Sequence, residues 1–333
     1  MTRLFTDGAE FGDTKFFDAV SGNVASTTFK FTGVYSYYIT GGFLTKNFTA
    51  SSEVFVKFRL YIPTGLATEN ENIFQLRSGT TVLASFRYIL STKKLTLYTG
   101  DFATPVITAS GSVDFAVWYL IEIRDKIADS GDMELRVDSI SWGTFSGDTK
   151  PGADTTVNNI NFIQQFSSAY YIDDLALNNT SGSEDNSWCG TGQVELLKPT
   201  ANGYLNEWTR STTSTDAFAL VDDIPPNDNT DYIYSATANQ IDAFALADFD
   251  GTNKLIKRVW TEARAYDQGV TAAQISLGFR TTESTNYFST TNSTLTGSYA
   301  RVASDEWLLN PATSTTWQDA DLDALQVLVK ELS

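Results

Sequence analysis

The sequence predicts an all-β protein built from two antiparallel domains, and three observations carry that reading. Aromatic residues make up 13% of the chain, with 22 Phe, 15 Tyr and 7 Trp beside only 7 Pro, a composition enriched in strand formers. Apolar and polar residues alternate with a period of two through segment after segment, as a half-buried strand requires. The turns between segments are too short for helical crossovers, so neighbouring strands must run antiparallel.

The clearest segment runs from Glu53 to Ile62. Val54, Val56, Phe58, Leu60 and Ile62 alternate there with Phe55, Lys57, Arg59 and Tyr61, and Pro63, Thr64 and Gly65 then turn the chain. Further strands are expected over 72–77, 82–88, 95–98, 118–124, 133–137, 160–166 and 170–177, separated by turn sequences such as Ser78-Gly79 and Asp129-Ser130-Gly131-Asp132. Many short strands at this spacing read as a sandwich or barrel. At 333 residues the chain exceeds one ordinary core. The polar, glycine-bearing stretch Asn178 to Asn186 marks a boundary, giving a first domain over 1–178, a linker over 179–188 and a second β domain over 189–333. In the second half, strands are expected over 192–197, 231–234, 255–265, 273–280 and 324–332. One short helix follows Thr316, which offers itself as the cap. The pentapeptide Asp-Ala-Phe-Ala-Leu occurs at 216–220 and again at 242–246, by chance or as two similar strands rather than as a solenoid repeat.

Charge and composition narrow the chemistry. Forty acidic against twenty-three basic residues give a net charge of -17, which repels phosphate backbones and anionic bilayers, so neither nucleic acid nor membrane is an expected partner. Histidine is absent, which removes histidine bases, histidine-ligated zinc and Ser-His-Asp systems. The single cysteine, Cys189, can build neither an internal disulfide nor a thiolate metal site. No phosphate-cradling glycine motif is present. No export signal is read at the amino terminus, and no apolar run is long enough to span a bilayer as a helix.

Carboxylate pairs are then the remaining acid-base apparatus. Glu122 and Asp125 come nearest to one, but a spacing of three places them on opposite faces of a strand, and they read as solvated charges at a strand end. No catalytic residue is assigned and no enzymatic activity is expected. Asp129/Asp132, Asp173/Asp174, Asp222/Asp223 with Asp228, and Asp248/Asp250 raise calcium as a candidate, but none spells a calcium loop, so no metal ligand and no cofactor is assigned. Tyr98, Tyr119, Trp142 and Phe145, in predicted loops or on outward strand faces, are the candidate glycan- or partner-binding residues, because aromatic rings stack on sugars.

Four stretches also carry a family resemblance: Met1 to Asp13, Gly33 to Tyr38, Trp118 to Ile123, and Tyr171-Ile172-Asp173-Asp174-Leu175-Ala176-Leu177. Together they resemble the concanavalin A-like (laminin-G-like) β-sandwich module of structural proteins in tailed bacteriophages. Asn206 to Thr209, Val221 to Asp228, Glu262 to Ala265 and Leu309 to Thr313, followed by Trp317, are similar to the second domain that follows that module. The resemblance implies a concanavalin A-like jelly roll followed by a smaller β-sandwich or jelly-roll domain. It also implies a non-enzymatic virion component on a tail tip, baseplate or capsid surface, assembled in the host cytoplasm. Its partners would be other virion proteins, copies of itself and bacterial surface glycan. Laminin-G-like modules often hold calcium on the sandwich rim, but no calcium motif transfers onto residues of this chain. Two other readings stand beside this one: an enzyme that cleaves surface polysaccharide, and a decoration or cement protein that meets no sugar.

Overall fold

In the computed structural model, alternation along Glu53–Tyr61 turns Val54, Val56, Phe58 and Leu60 into a dry interior. Phe58 packs edge-on against Phe74 and Phe162 of the facing sheet, at 5.7 and 5.4 Å between ring centroids. The structure describes the chain apart from residues 1–2, 66–69, 103, 165–168, 250, 252–253, 270–271, 282–284 and 333. It separates into two compact units, Met1–Glu195 and Leu196–Ser333.

The first unit is a sandwich of two antiparallel sheets. One, called here the front sheet, has the spatial order Ile140–Gly147, Gly131–Val137, Trp118–Lys126, Glu53–Tyr61, Tyr170–Asn179, Ser36–Ile39 and Val24–Ser26, with Arg3–Asp7 also paired to Tyr170–Asn179. The back sheet has the order Thr104–Thr108, Lys94–Thr99, Thr81–Ile89, Glu71–Ser78, Val157–Gln164, Gly42–Ser51 and Ala19–Ser21. Inward-facing residues of both sheets form one continuous core, as face-to-face packing of amphipathic sheets demands. The all-β, antiparallel expectation holds.

In the second unit the main sheet has the order Pro199–Asn206, Ile241–Leu246, Gln326–Glu331, Gln274–Arg280 and Asn286–Phe288. Glu262–Ala265 pairs with Ala300–Ala303 in a separate small sheet. Phe279, Trp317, Leu322 and Leu325 form one core cluster, and the Trp317 indole N–H donates to the Trp307 carbonyl at 2.9 Å. The final strand lies in the middle of the sheet, where it bonds to neighbours on both sides.

Three expectations for this half are corrected. Residues 192–197 form no strand: the Gly192 carbonyl accepts from the Lys57 ammonium and the Val194 N–H donates to Asp174, side-chain partners in place of a ladder. Of 255–265 only Glu262–Ala265 is strand, and Leu255 is 72% exposed. The helix, Asp319–Asp323, is capped by Gln318 rather than Thr316, with the Gln318 N–H donating to the Asp321 carboxylate at 2.8 Å. No helix among the described residues is long and apolar enough to cross a membrane.

Candidate functional site

The outward face of the front sheet holds side chains that the core does not use. Strand register puts Trp118 opposite Tyr61, Tyr61 opposite Tyr171, and Tyr171 opposite Tyr38. Four aromatic residues therefore stand in one row across four adjacent strands, each strand about 4.8 Å from the next. Ring centroids lie 5.2 Å apart for Tyr61 and Trp118, 6.1 Å for Tyr61 and Tyr171, and 4.7 Å for Tyr38 and Tyr171. Two phenylalanines of the 27–35 loop sit on this row. Phe29 stacks on Tyr61 at 4.6 Å and meets Tyr171 edge-on at 5.2 Å. Phe31 meets Trp118 edge-on, and the Arg59 guanidinium lies 3.9 Å from its ring centroid. Phe29 and Phe31 are each 37% exposed, whereas Tyr61 and Tyr171 beneath them are 7% and 6% exposed.

Buried carboxylates hold the loop in place. Asp173 accepts the N–H groups of Phe31 and Thr32 at 2.9 and 3.3 Å. Asp174 accepts the Thr32 hydroxyl at 3.3 Å and the Val194 N–H at 2.8 Å. Glu10 accepts the N–H groups of Val34 and Tyr35 at 2.8 and 3.3 Å. Successive strand residues normally point to opposite faces, yet Asp173 and Asp174 both reach Thr32. A register shift between Asp173 and Ala176, with Asp174 in the left-handed region at φ 49°, brings them to the same side. Asp tolerates that conformation better than most residues.

A strap over 188–194 covers the neighbouring part of the same face. Trp188 packs edge-on against Phe55, and the Arg136 guanidinium lies 3.8 Å from a Trp188 ring centroid. The Cys189 thiol lies 3.6 Å from the Phe55 carbonyl oxygen. The Gly190 N–H donates to Glu122 at 3.2 Å, and the Lys57 ammonium donates to the Gly192 carbonyl.

Burial leaves several of these groups able to exchange protons near neutral pH. It raises Glu10 to about 7 and Asp173 to about 8, the charge of Asp174 adding to the second shift. It lowers Lys57 to about 8, against the pull of Asp174. Arg59 is pushed down by burial, and its buried Nε has no hydrogen-bond partner among the described residues.

The residues singled out in the sequence lie elsewhere. Tyr98 belongs to the back sheet, is 8% exposed, and meets Phe102 edge-on at 5.8 Å. Tyr119, Trp142 and Phe145 are half-buried against the sandwich core, and the Tyr119 hydroxyl accepts the Asp114 N–H at 3.0 Å. The four are not brought together. Their neighbour Trp118, one residue before Tyr119 and pointing the other way, joins the aromatic row instead. Glu122 and Asp125 do lie on opposite faces, but neither is solvated: Glu122 is buried under the strap and Asp125 is buried on the core side. Burial raises Asp125 well above its ordinary value, and both its oxygens lack hydrogen-bond partners among the described residues. Asp250 lies outside the described residues. Among the described residues no group of three or more Cys, Asp or Glu side chains is placed to hold a metal ion.

No family model and no curated protein matches the chain. Among solved structures it is similar to an endo-β-1,4-glucuronan lyase from the fungus Trichoderma reesei, at 14% identity and a TM-score of 0.40, over 54% of this chain and 96% of that one. It is similar to the carbohydrate-binding module CBM66 from Bacillus subtilis at 8% identity and a TM-score of 0.33, over 48% and 96%. It is also similar to a carbohydrate esterase from the Shiga toxin-encoding bacteriophage phi24B at 17% identity and a TM-score of 0.41, over 53% and 97%. These likenesses concern the β-sandwich jelly-roll fold. They correct the expectation that the chain is not an enzyme, since a lyase and an esterase stand among the similar structures. That expectation rested on missing histidine and on the lack of a carboxylate pair. Glu10, Lys57 and Asp173, which burial shifts to about 7, 8 and 8, are acid–base groups which that reading did not include.

Proposed function

We propose that the aromatic row of the front sheet is a glycan-contact surface, and that the chain is a component of a tailed-phage particle that meets bacterial surface glycan through it. One observation carries the first part. Tyr38, Tyr171, Tyr61 and Trp118 stand in register under the half-exposed Phe29 and Phe31, with the Arg59 guanidinium 3.9 Å from the Phe31 ring centroid. Sugar rings present C–H faces to aromatic rings, and Phe29 and Phe31, seated on a row of strand-borne rings, offer such faces at low ordering cost. The particle setting is supported by the sequence resemblance, and copies arrayed on a particle would strengthen weak contacts by avidity.

Affinity electrophoresis in host surface polysaccharide tests the contact. The Phe29→Ala/Phe31→Ala double variant is expected to bind about tenfold more weakly, or about 1.4 kcal/mol, with its thermal midpoint held near that of the parent. Undiminished retardation of a folded double variant would sink the proposal. New reducing ends in the same incubation would show that contact leads on to cleavage. Retention on purified particles with no response to any glycan would favour the cement reading.

A further inference from the structure

The second unit carries an aromatic, cationic patch that neither its core nor the front-sheet surface explains. Along Pro199–Asn206 the ladder is interrupted between Asn202 and Asn206. Gly203 approaches the sheet so closely that a Cβ there would lie 2.6 Å from the Ala243 carbonyl carbon and 2.6 Å from Gln326 Oε1. A residue without a side chain is needed at that point, and the next residue, Tyr204, is held on three sides. Its N–H donates to Gln326 Oε1 at 2.9 Å. Its hydroxyl accepts from the Asn286 amide. Its ring lies with its centroid 3.8 Å from the Arg280 guanidinium, which in turn donates to Asn286 Oδ1 at 3.0 Å. Despite these restraints the tyrosine is 38% exposed. An exposed ring fixed by residues on strands loses little further freedom when a ligand stacks on it.

Charge identifies what such a ligand would carry. Gln326 pairs with Arg280 and Lys330 with Ser276 across the same two strands, so Arg280 and Lys330 share a face. Neither has a carboxylate within ion-pair distance among the described residues. Elsewhere in this unit Arg258, Arg264 and Arg301 are each matched by Glu306, Asp228 and Glu262. Arg280, with no carboxylate partner among the described residues, stands beside an exposed ring in a chain of net charge -17. Lys330 stands over the Phe288 ring, 5.7 Å from its centroid; a simple surface cation–π pair explains Arg280 on Tyr204 but leaves the locked hydroxyl unexplained.

We infer that this face of the second unit binds an acidic sugar, with the sugar ring stacked on Tyr204 and its carboxylate paired with the Arg280 guanidinium. The site is separate from the front-sheet row and stands or falls without it.

Calorimetric titration of the full chain with a hexuronate oligosaccharide, and with a neutral glucan oligosaccharide of equal length, tests the inference. The hexuronate is expected to bind at least about tenfold more tightly, and to weaken as salt is raised. Tyr204→Ala and Arg280→Gln should each lower hexuronate affinity about tenfold or more, while Tyr204→Phe, which keeps the ring, stays within a few fold. Phe29→Ala/Phe31→Ala should leave hexuronate binding in place, which separates a failure here from a failure of the front-sheet proposal. Should Tyr204→Ala not fold, Arg280→Gln and Tyr204→Phe decide the matter. Equal binding of the two oligosaccharides, no hexuronate binding, or hexuronate binding that survives Arg280→Gln overturns it.

Discussion

Buried carboxylates do an unusual share of the fastening in the first unit. Asp173, Asp174 and Glu10 accept backbone N–H groups of the 27–35 loop and the strap, and a hydrogen-bonded acid is tolerated inside a protein where an unpaired one is not. Their protonation ties stability to pH. Burial raises Glu10 from 4.5 to about 7, Glu71 from 4.5 to about 8 and Asp173 from 3.8 to about 8. A carboxyl raised on folding contributes stability that is full below its unfolded value and lost as pH rises through the folded one. The denaturant midpoint is therefore expected to fall between pH 5 and pH 8. Lys57, lowered from 10.5 to about 8, acts in the opposite sense, and only above that window. Asp173→Asn keeps an acceptor for the loop amides and should flatten the profile; a parent profile already flat from pH 5 to 8 would refute the assignment. None of this was readable from the Asp-Asp dipeptide, because burial depends on which strands cover it.

At the scale of elements, local pattern gave strand existence well and strand neighbours poorly. The pentapeptide Asp-Ala-Phe-Ala-Leu shows the limit. At 242–246 it lies in a strand paired with the carboxyl-terminal strand, and Asp242 accepts the Trp208 N–H at 2.8 Å. At 216–220 it ends in a short 3-10 turn, with the Asp216 N–H donating to the Ser214 hydroxyl at 3.1 Å. Identical residues take either state because partners, rather than propensity, decide strands. The bulge at Asp173–Ala176 is likewise invisible to a period-two reading, which assigns its two acids to opposite faces. Gly278 offers a test of the described pairing in the second unit. A Cβ there would meet the Tyr287 carbonyl oxygen at 2.1 Å and the Phe288 Cα at 2.9 Å, both of them backbone. Gly278→Ala should destabilise by about 1 to 3 kcal/mol, the usual cost of overpacking, and an unchanged denaturation midpoint would count against Asn286–Phe288 lying where it does.

Across the whole molecule, the division after Glu195 keeps the strap with the first sandwich. A fragment ending at residue 178 would lose Trp188 and Cys189 from their contacts with Phe55 and Ala176, and would expose the Lys57 and Glu122 side chains. The 1–178 fragment is expected to be less stable than the 1–195 fragment by at least about 2 kcal/mol, roughly the worth of one well-buried apolar side chain. Denaturation of the two side by side checks this, and equal stability would show that the strap contributes no packing. The polar stretch 179–188 was legible as a break in periodicity. That the chain after it returns to the same sheet was not, since Gly190 and Gly192 engage through backbone atoms, which every residue type shares.

The sequence by itself determined the all-β class, the inward faces of the long strands and the closing strand, because alternation and composition act over neighbouring residues. Tertiary structure alone decided which aromatics meet. Tyr38, Tyr61, Trp118 and Tyr171 are far apart in the chain and become a row only through register between four strands. A shift of one residue in any pairing would turn a member of that row into the core.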